Sequence, residues 1–369
     1  MNWAGKRIAL IGPLPPPAGG MANQTRQLAE LLGGEGLDVD LIQTNAPYCP
    51  QWIGHFRGVR AGFRLMPYLL RLWSAAGRAD VMHVMANSGW SWHLFAAPAV
   101  WIAHLRRVPV VVNYRGGEAD DFLARSARWV CPTLRRAAGV LVPSGFLRDV
   151  FLRHGVESRI VPNVVDVARF HADARPRCAG DAPHVVVARN LEPIYGISTA
   201  LEAFAQIRAA CPRARMSVAG TGPQADELIA RAAALGLDGS VRFTGRLERD
   251  EMAALYRDAD VVLNPARVDN MPNSVLEALA SGVPVVSTDV GGVPYIVENG
   301  RSALLVPRDD AAAMAAAVLH LVRSPELGAR LVEGGLHEVR RYTWAEVRHT
   351  LFSAYEAALR GAVAPAGAR

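Results

Sequence analysis

Hydrophobic positions along the chain fall into short unbroken runs separated by stretches with helical spacing. The segment KRIALIGPLPPPAGGMANQTRQLAELLGGEGLDVDLIQ reads as strand, Gly/Pro loop, helix, glycine stop and second strand. Further on, PHVVVARNLEPIYGISTALEAFAQIRAACPRARMSVAGTG repeats that order. Additional strands are predicted at DVMHVM, VPVVVNY, GVLVPS, SRIVPN, SVRFTG, ADVVLNP and VPVVSTD. Continuous β-branched runs alternating with helices mark parallel sheets covered on both faces. The runs divide into two groups around Asp166–Pro183, where VARFHADARPRCAGDAP lacks sustained periodicity, so a linker is expected there. The expected class is α/β: two doubly wound, Rossmann-like domains facing a central cleft, with ligands at the carboxyl ends of the strands. Near the C-terminus Trp344, Val347, Leu351, Tyr355 and Leu359 have helical spacing, and Thr343 with Glu346 fits a capping box.

The length of 369 residues suits two domains at roughly 100–200 residues each. A hydrophobic share of 51% with 20% charge excludes a disordered protein, the tail RGAVAPAGAR apart. Cys49, Cys131, Cys178 and Cys211 form no C-x-x-C pair, which argues against a zinc ribbon or disulfide framework and fits a cytoplasmic setting. The N-terminal apolar run ends in prolines without a cleavage pattern, so it is read as a first strand and not a signal peptide. HLFAAPAVWIAHL is far short of the roughly 20 apolar residues of a spanning helix, and a soluble or peripheral protein is expected.

Charge changes this picture in one place. The net +6 is uneven, with an excess of about 8 basic residues up to Ala172 and a deficit of about 2 beyond it. In Phe56–Arg78, arginines alternate with Phe63, Leu65, Met66, Tyr68, Leu69, Leu70, Leu72 and Trp73. Such a run suits a helix lying in an anionic headgroup layer, and equally a surface helix packed on its own domain. No nucleic-acid-binding module accompanies the charge, so nucleic acid is not expected as a partner.

The candidate chemistry lies in DNMPNSVLEALASGVPVVSTDVGGVPYIVENG, which carries Asp269 and Glu277 around the start of an apolar helix. Ser274 and Glu277 have the S-x-x-E spacing of a capping box, which would occupy both with backbone amides. A helix that begins at the end of a parallel strand also presents N–H groups and a positive dipole end, which suit a diphosphate. Glu277 could then accept from adjacent ribose hydroxyls, and Asp269 from those of a sugar ring. Both readings stand on local sequence.

The acid-x7-acid spacing followed by EALASGVPVVSTDVGGVPYIVENGRSALLVP resembles the retaining family 4 glycosyltransferases of GT-B fold, whose signature is E-x7-E. GVLVPSGFLRDVFLRHGVESRIVPNVVDVARF, SVAGTGP and VRFTGRLERDEMAALYRDADVVLNPA match the preceding family segments in order. The resemblance implies an acceptor-binding domain over residues 1–172, a nucleotide-sugar-binding domain over 183–342, and a C-terminal helix near 343–360 returning to the first. It implies Asp269 and Arg189 as catalytic groups, Asp269 on the donor sugar and Arg189 on the leaving diphosphate. Donor contacts are implied for Glu277 on the ribose, for Asn273, Ser274 and Val275 through backbone amides, and for Gly19, Gly20, Tyr195, Gly222 and Arg246.

Four departures from the family are visible. Asp269 replaces Glu, Asn270-Met271-Pro272 replaces Gly-Phe-Gly, Tyr195 stands where the family often has Lys, and Arg115 stands at a His position. A guanidinium is no general base near neutral pH, so positioning and leaving-group stabilisation would carry the reaction. Arg115, Glu118 and His83 are the acceptor-side candidates. His83 and His93 follow no ligand spacing, and no metal or other cofactor is expected, as the resemblance also implies. Trp90 and Trp92 could stack on an acceptor sugar or be core. The implied activity is retaining transfer of a hexose-type sugar from a nucleotide sugar to an acceptor hydroxyl, and the basic aromatic run at Phe56–Arg78 adds the expectation of a glycan or lipid-linked glycan acceptor in surface glycan assembly, at the cytoplasmic membrane face. The alternatives are a sugar-nucleotide epimerase and a non-catalytic sugar-nucleotide-binding partner.

Overall fold

The computed structural model describes residues 3–16, 19–47, 60–173 and 182–363. The chain divides into two compact units, Met1–Pro162 with Val347–Arg369, and Asn163–Glu346. In the first, the order is β1 (Arg7–Gly12), α1 (Gly20–Gly34), β2 (Asp38–Gln43), α2 (Arg60–Ala76), β3 (Val81–Ala86), α3 (Ala97–Leu105), β4 (Val110–Tyr114), α4 (Ala119–Leu134), β5 (Gly139–Val142), α5 (Gly145–Arg153) and β6 (Arg159–Ile160). A π-helical stretch, Trp92–Ala96, leads into α3. The six strands are parallel in the order β2-β1-β3-β4-β5-β6. With right-handed crossovers this order puts α1 on one face of the sheet and α2 to α5 on the other. Met82, Val84, Val110 and Val112 point to that second face and join Leu72, Ala99, Val100 and Leu123 in one core.

The second unit contains β7 (His184–Ala188), α6 (Ile197–Ala210), β8 (Arg215–Ala219), α7 (Ala225–Ala234), β9 (Val241–Gly245), α8 (Arg249–Asp258), β10 (Val261–Asn264), α9 (Asn273–Ala280), β11 (Val285–Thr288), β12 (Leu304–Val306), α10 (Ala311–Arg323) and α11 (Pro325–Val339). Its sheet is parallel in the order β12-β11-β10-β7-β8-β9. Separate clusters of buried side chains cover the two faces of this sheet, as expected for strands apolar on both sides.

α12 (Trp344–Val363) follows, and most of it belongs to the first unit. Trp3 stacks on Phe352 at 5.3 Å between ring centroids and Arg348 pairs with Glu35 at 3.0 Å. The Thr343 hydroxyl donates to the Arg340 carbonyl at 2.9 Å rather than serving the expected box with Glu346. A second expectation also shifts: residues 163–172, read with the N-terminal domain, group with the C-terminal unit. The Val165 amide donates to the Tyr342 carbonyl at 2.9 Å, and Phe170 packs edge-on to Tyr256. Within the expected linker, residues 174–181 lie outside the described residues, as do 56–59 of the basic run.

Candidate active site

In the C-terminal unit the strand order reverses between β7 and β10. Loops leaving two such strands diverge at their carboxyl ends and open a crevice there. Arg189 directly follows β7, Asp269 lies in the loop after β10, and Glu277 sits one turn into α9. The Arg189 guanidinium forms an ion pair with Asp269 through Nη2 and donates through Nη1 to Ser274 Oγ at 3.4 Å. Its Nε is buried with no hydrogen-bond acceptor. A buried donor without a partner is costly unless something fills the gap, and an anionic oxygen is the obvious complement. The Tyr195 ring lies under the guanidinium, 4.2 Å from its carbon to the ring centroid. Tyr195 therefore supplies a π-face where the family often supplies a cation.

Glycines hold this arrangement. Gly220, at φ 148°, lies so close to the Arg189 carbonyl that a Cβ there would overlap it, and a Cβ on Gly222 would meet the Leu191 backbone. Gly291, at φ 53°, lies against the Asp269 carbonyl in the same way, and the Gly292 amide donates to that carbonyl at 2.8 Å. Gly222 thus shapes the Arg189 loop. Arg246 follows β9, where it pairs with Glu248 at 3.0 Å.

The local helix start removes one of the two readings of Ser274 and Glu277. Pro272 is the cap position of α9, so Ser274 is the second helical residue and no side chain caps the helix. Glu277 instead accepts a hydrogen bond from the Tyr256 hydroxyl at 3.3 Å. The capping box is absent. The Val275 amide, expected to face a ligand, donates to the Pro272 carbonyl at 3.2 Å, and its side chain is core. Asn273 accepts at Oδ1 from Asn163 Nδ2 at 2.7 Å, and the same amide group donates to the Met271 carbonyl at 3.0 Å.

Burial pushes the Glu277 carboxyl up to about 7, against the opposing pull of the Tyr256 hydrogen bond and of Arg249 and Arg189. Burial likewise raises Asp269, opposed by Arg189 and by the amides of Asn270 and Met271. Tyr256 is raised by its own burial and by Glu277, so its proton stays on the hydroxyl and points at the carboxylate.

The N-terminal unit has its own reversal, between β1 and β3. Gly19 and Gly20 begin α1 after the β1 loop, and nothing stands within 4 Å of where a Gly19 Cβ would lie. Glu118 is exposed at the start of α4. Arg115 follows β4 and donates through Nε to Asn113 Oδ1 at 3.1 Å. Because Arg only donates, Asn113 must turn its amide nitrogen to His83 Nε2, 3.1 Å away. That makes Nε2 an acceptor and leaves the His83 proton on Nδ1, which donates to the Tyr355 oxygen at 2.7 Å. His83 is fully buried, and burial with the nearby Arg115 lowers it to about 3. It is a neutral core residue packed on α12, which corrects its placement among acceptor-side groups. Trp92 is core, whereas Trp90 is exposed beside His93.

One site residue escaped sequence reasoning, Tyr256, which reaches its partner only through tertiary packing; Asn163 lies in a segment matched to the family, but its bond to Asn273 was not legible there. The one available signal for Tyr256 was a tyrosine on the apolar side of α8, whose hydroxyl needs a buried acceptor.

The family description "Glycosyl transferases group 1" matches residues 182–324, and "Glycosyltransferase Family 4" matches residues 18–169. A glycogen synthase of Mycobacterium tuberculosis is 29% identical over 82% of this chain and 74% of its own. A phosphatidyl-myo-inositol mannosyltransferase of Mycobacterium leprae is 27% identical over 95% of this chain and 96% of its own. Among solved structures, sucrose-phosphate synthase from Thermosynechococcus elongatus superposes with a TM-score of 0.75 at 21% identity, covering 96% of this chain and all of that one. Anabaena HepE in complex with UDP superposes at 0.72 and 16% identity, covering 95% of this chain and 99% of that one. With one such description matched in each unit and both sheets arranged as in these neighbours, the chain belongs to the group 1, family 4 glycosyltransferases and has their GT-B fold.

Proposed function

We propose that this glycosyltransferase moves a hexose-type sugar, with retention at the anomeric carbon, from a nucleoside diphosphate to an acceptor hydroxyl during surface glycan assembly. The observation that carries the reading is Arg189, whose buried Nε lacks an acceptor beside Asp269 and the first turn of α9. A diphosphate oxygen there would complete the guanidinium's hydrogen bonds and lie near the helix dipole. Glu277, held by the Tyr256 hydroxyl, has the position for two adjacent ribose hydroxyls. In the reaction, the anomeric carbon–phosphate oxygen bond breaks while a bond to the acceptor oxygen forms on the same face. The acceptor proton passes to the leaving phosphate, so no protein nucleophile is needed. Asp269, already bound to a guanidinium, suits the orientation of sugar hydroxyls better than covalent attack. Arg189 and the positive dipole end of α9 meet the diphosphate charge, and the mechanism uses no metal.

A nucleotide donor is supported by neighbours described with UDP and UDP-glucose. A lipid-borne acceptor at the cytoplasmic membrane face is supported by the phosphatidyl-myo-inositol mannosyltransferases among the relatives. Arg115 and Glu118 are the acceptor-side residues of this reading. The test is a thermal-shift panel of UDP-, GDP- and ADP-sugars on the wild type and Glu277→Ala. One donor class should raise the melting temperature of the wild type alone, and NMR of the product should show the donor's anomeric configuration. Equal protection of both proteins would remove the ribose role, and an inverted product would remove retention.

A further inference from the structure

We infer that the face formed by α2, α3 and α4 of the N-terminal unit docks on an anionic phospholipid bilayer, an inference that rests on the lipid-borne acceptor proposed above. The three helices lie side by side on one face of the sheet. The Trp101 indole of α3 donates to Thr133 of α4 at 3.2 Å, and Arg106, just past α3, covers Trp73 of α2 at 4.8 Å. On α2, Phe63, Met66, Leu70 and Trp73 are exposed, at spacings that put them on one side of the helix. Trp101 and Trp129 continue the surface on the next two helices, and Trp129 is 65% exposed.

Each of the three exposed tryptophans of this face carries a guanidinium over its ring: Arg106 on Trp73, Arg136 on Trp101 at 4.0 Å, and Arg128 on Trp129 at 5.3 Å. These arginines, with exposed Arg135, form no ion pair with Asp or Glu among the described residues. Some arginines elsewhere in the unit are paired, as Arg78 is with Asp40 at 3.2 Å and Arg153 with Asp120 at 3.0 Å. Large apolar side chains left uncovered together mark an interaction site. Unneutralised guanidinium groups among them call for phosphate anions above an apolar layer, which a bilayer presents at every lateral position, and tryptophan favours that boundary. Among the described residues no helix is long and apolar enough to cross a membrane, so attachment would be interfacial.

The full chain is sedimented with phosphatidylcholine vesicles and with vesicles that also contain phosphatidylglycerol, at low and high salt. Salt-sensitive binding is expected on the phosphatidylglycerol vesicles alone. Replacing Trp129→Ala together with Arg128→Gln should lower it at least roughly five-fold, the worth of one surface cation, without changing transfer to a short water-soluble acceptor. Absence of wild-type binding overturns the inference, as does binding that the paired substitution leaves intact. So does a concentration-dependent dimer, seen by light scattering, that the same substitutions abolish, because a second copy would then cover the face. Vesicle binding needs no donor, so it stands or falls separately from the nucleotide-binding test.

Discussion

Arg189 meets three neighbours at once, Asp269, Ser274 and the Tyr195 ring, and its buried Nε has no acceptor. Lysine could keep the charge but not the fork or the flat face. Arg189→Lys should therefore lower kcat by about 10²-fold, within the range seen when one donor to a developing anion is lost, with a smaller change in KM. Initial-rate kinetics check this, and a pure KM effect would reduce Arg189 to a ground-state contact. Glu277 adds a pH signature. As a carboxylate with its value raised to about 7, it must lose a proton before it can accept from two hydroxyls. Donor affinity should rise between pH 6 and 8 and release a proton, and Glu277→Gln should flatten the profile in calorimetry run in two buffers. Asp269 and Glu277 are legible from their spacing around the start of an apolar helix, and Arg189 only from the family resemblance. The sequence could not carry their partners: Tyr256 is brought to Glu277, and Asp269 to Arg189, by the packing of separate elements.

Elements of this fold meet through backbone as much as side chains. Gly220 and Gly291 press the loops after β8 and β11 against Arg189 and Asp269 respectively, and both have φ values that other residues rarely adopt. Gly220→Ala should destabilise the unit by about 1–3 kcal/mol in urea titration and weaken donor binding further than that loss explains, because it displaces the Arg189 carbonyl. Equal stability and binding would show that the loop relaxes. The strand–loop–helix alternation was legible wherever the apolar run was four residues or longer, as in β10 and β11. β12, of three residues, has no strand reading of its own in SALLVP, although the two-residue β6 is legible in SRIVPN, so run length alone does not separate a short strand from an apolar turn. His83 shows the other failure. DVMHVM is buried along all of β3, and a run without alternation cannot say which way its histidine points.

Across the whole chain, His83 and Glu277 make opposite contributions to the acid response of their units, and in the C-terminal unit His184, lowered by burial, works against Glu277. His83, lowered to about 3 in the folded state, stays neutral where the unfolded chain would take up a proton, so its contribution is present above about 6.5 and fades as pH falls. Glu277, raised to about 7, is protonated in the folded state where the unfolded chain is not, so its contribution weakens as pH rises from about 4.3 to 7. Calorimetry at pH 5 and 7 should show the N-terminal transition falling on acidification, and Glu277→Gln should make the C-terminal transition fall further on acidification than it does in the wild type. Tyr355→Phe should lower only the N-terminal transition, by about 1–3 kcal/mol, since it strands the His83 N–H. A single transition moved by every change would show that the units unfold together. The return of α12 also sets a schedule for synthesis. The acceptor of the His83 proton is 272 residues downstream, so a ribosome must make the entire C-terminal unit before the N-terminal one can close its core. At about 5–20 residues per second, β3 waits for roughly 10–50 s with His83 uncovered, an interval in which a chaperone or a membrane could find it first.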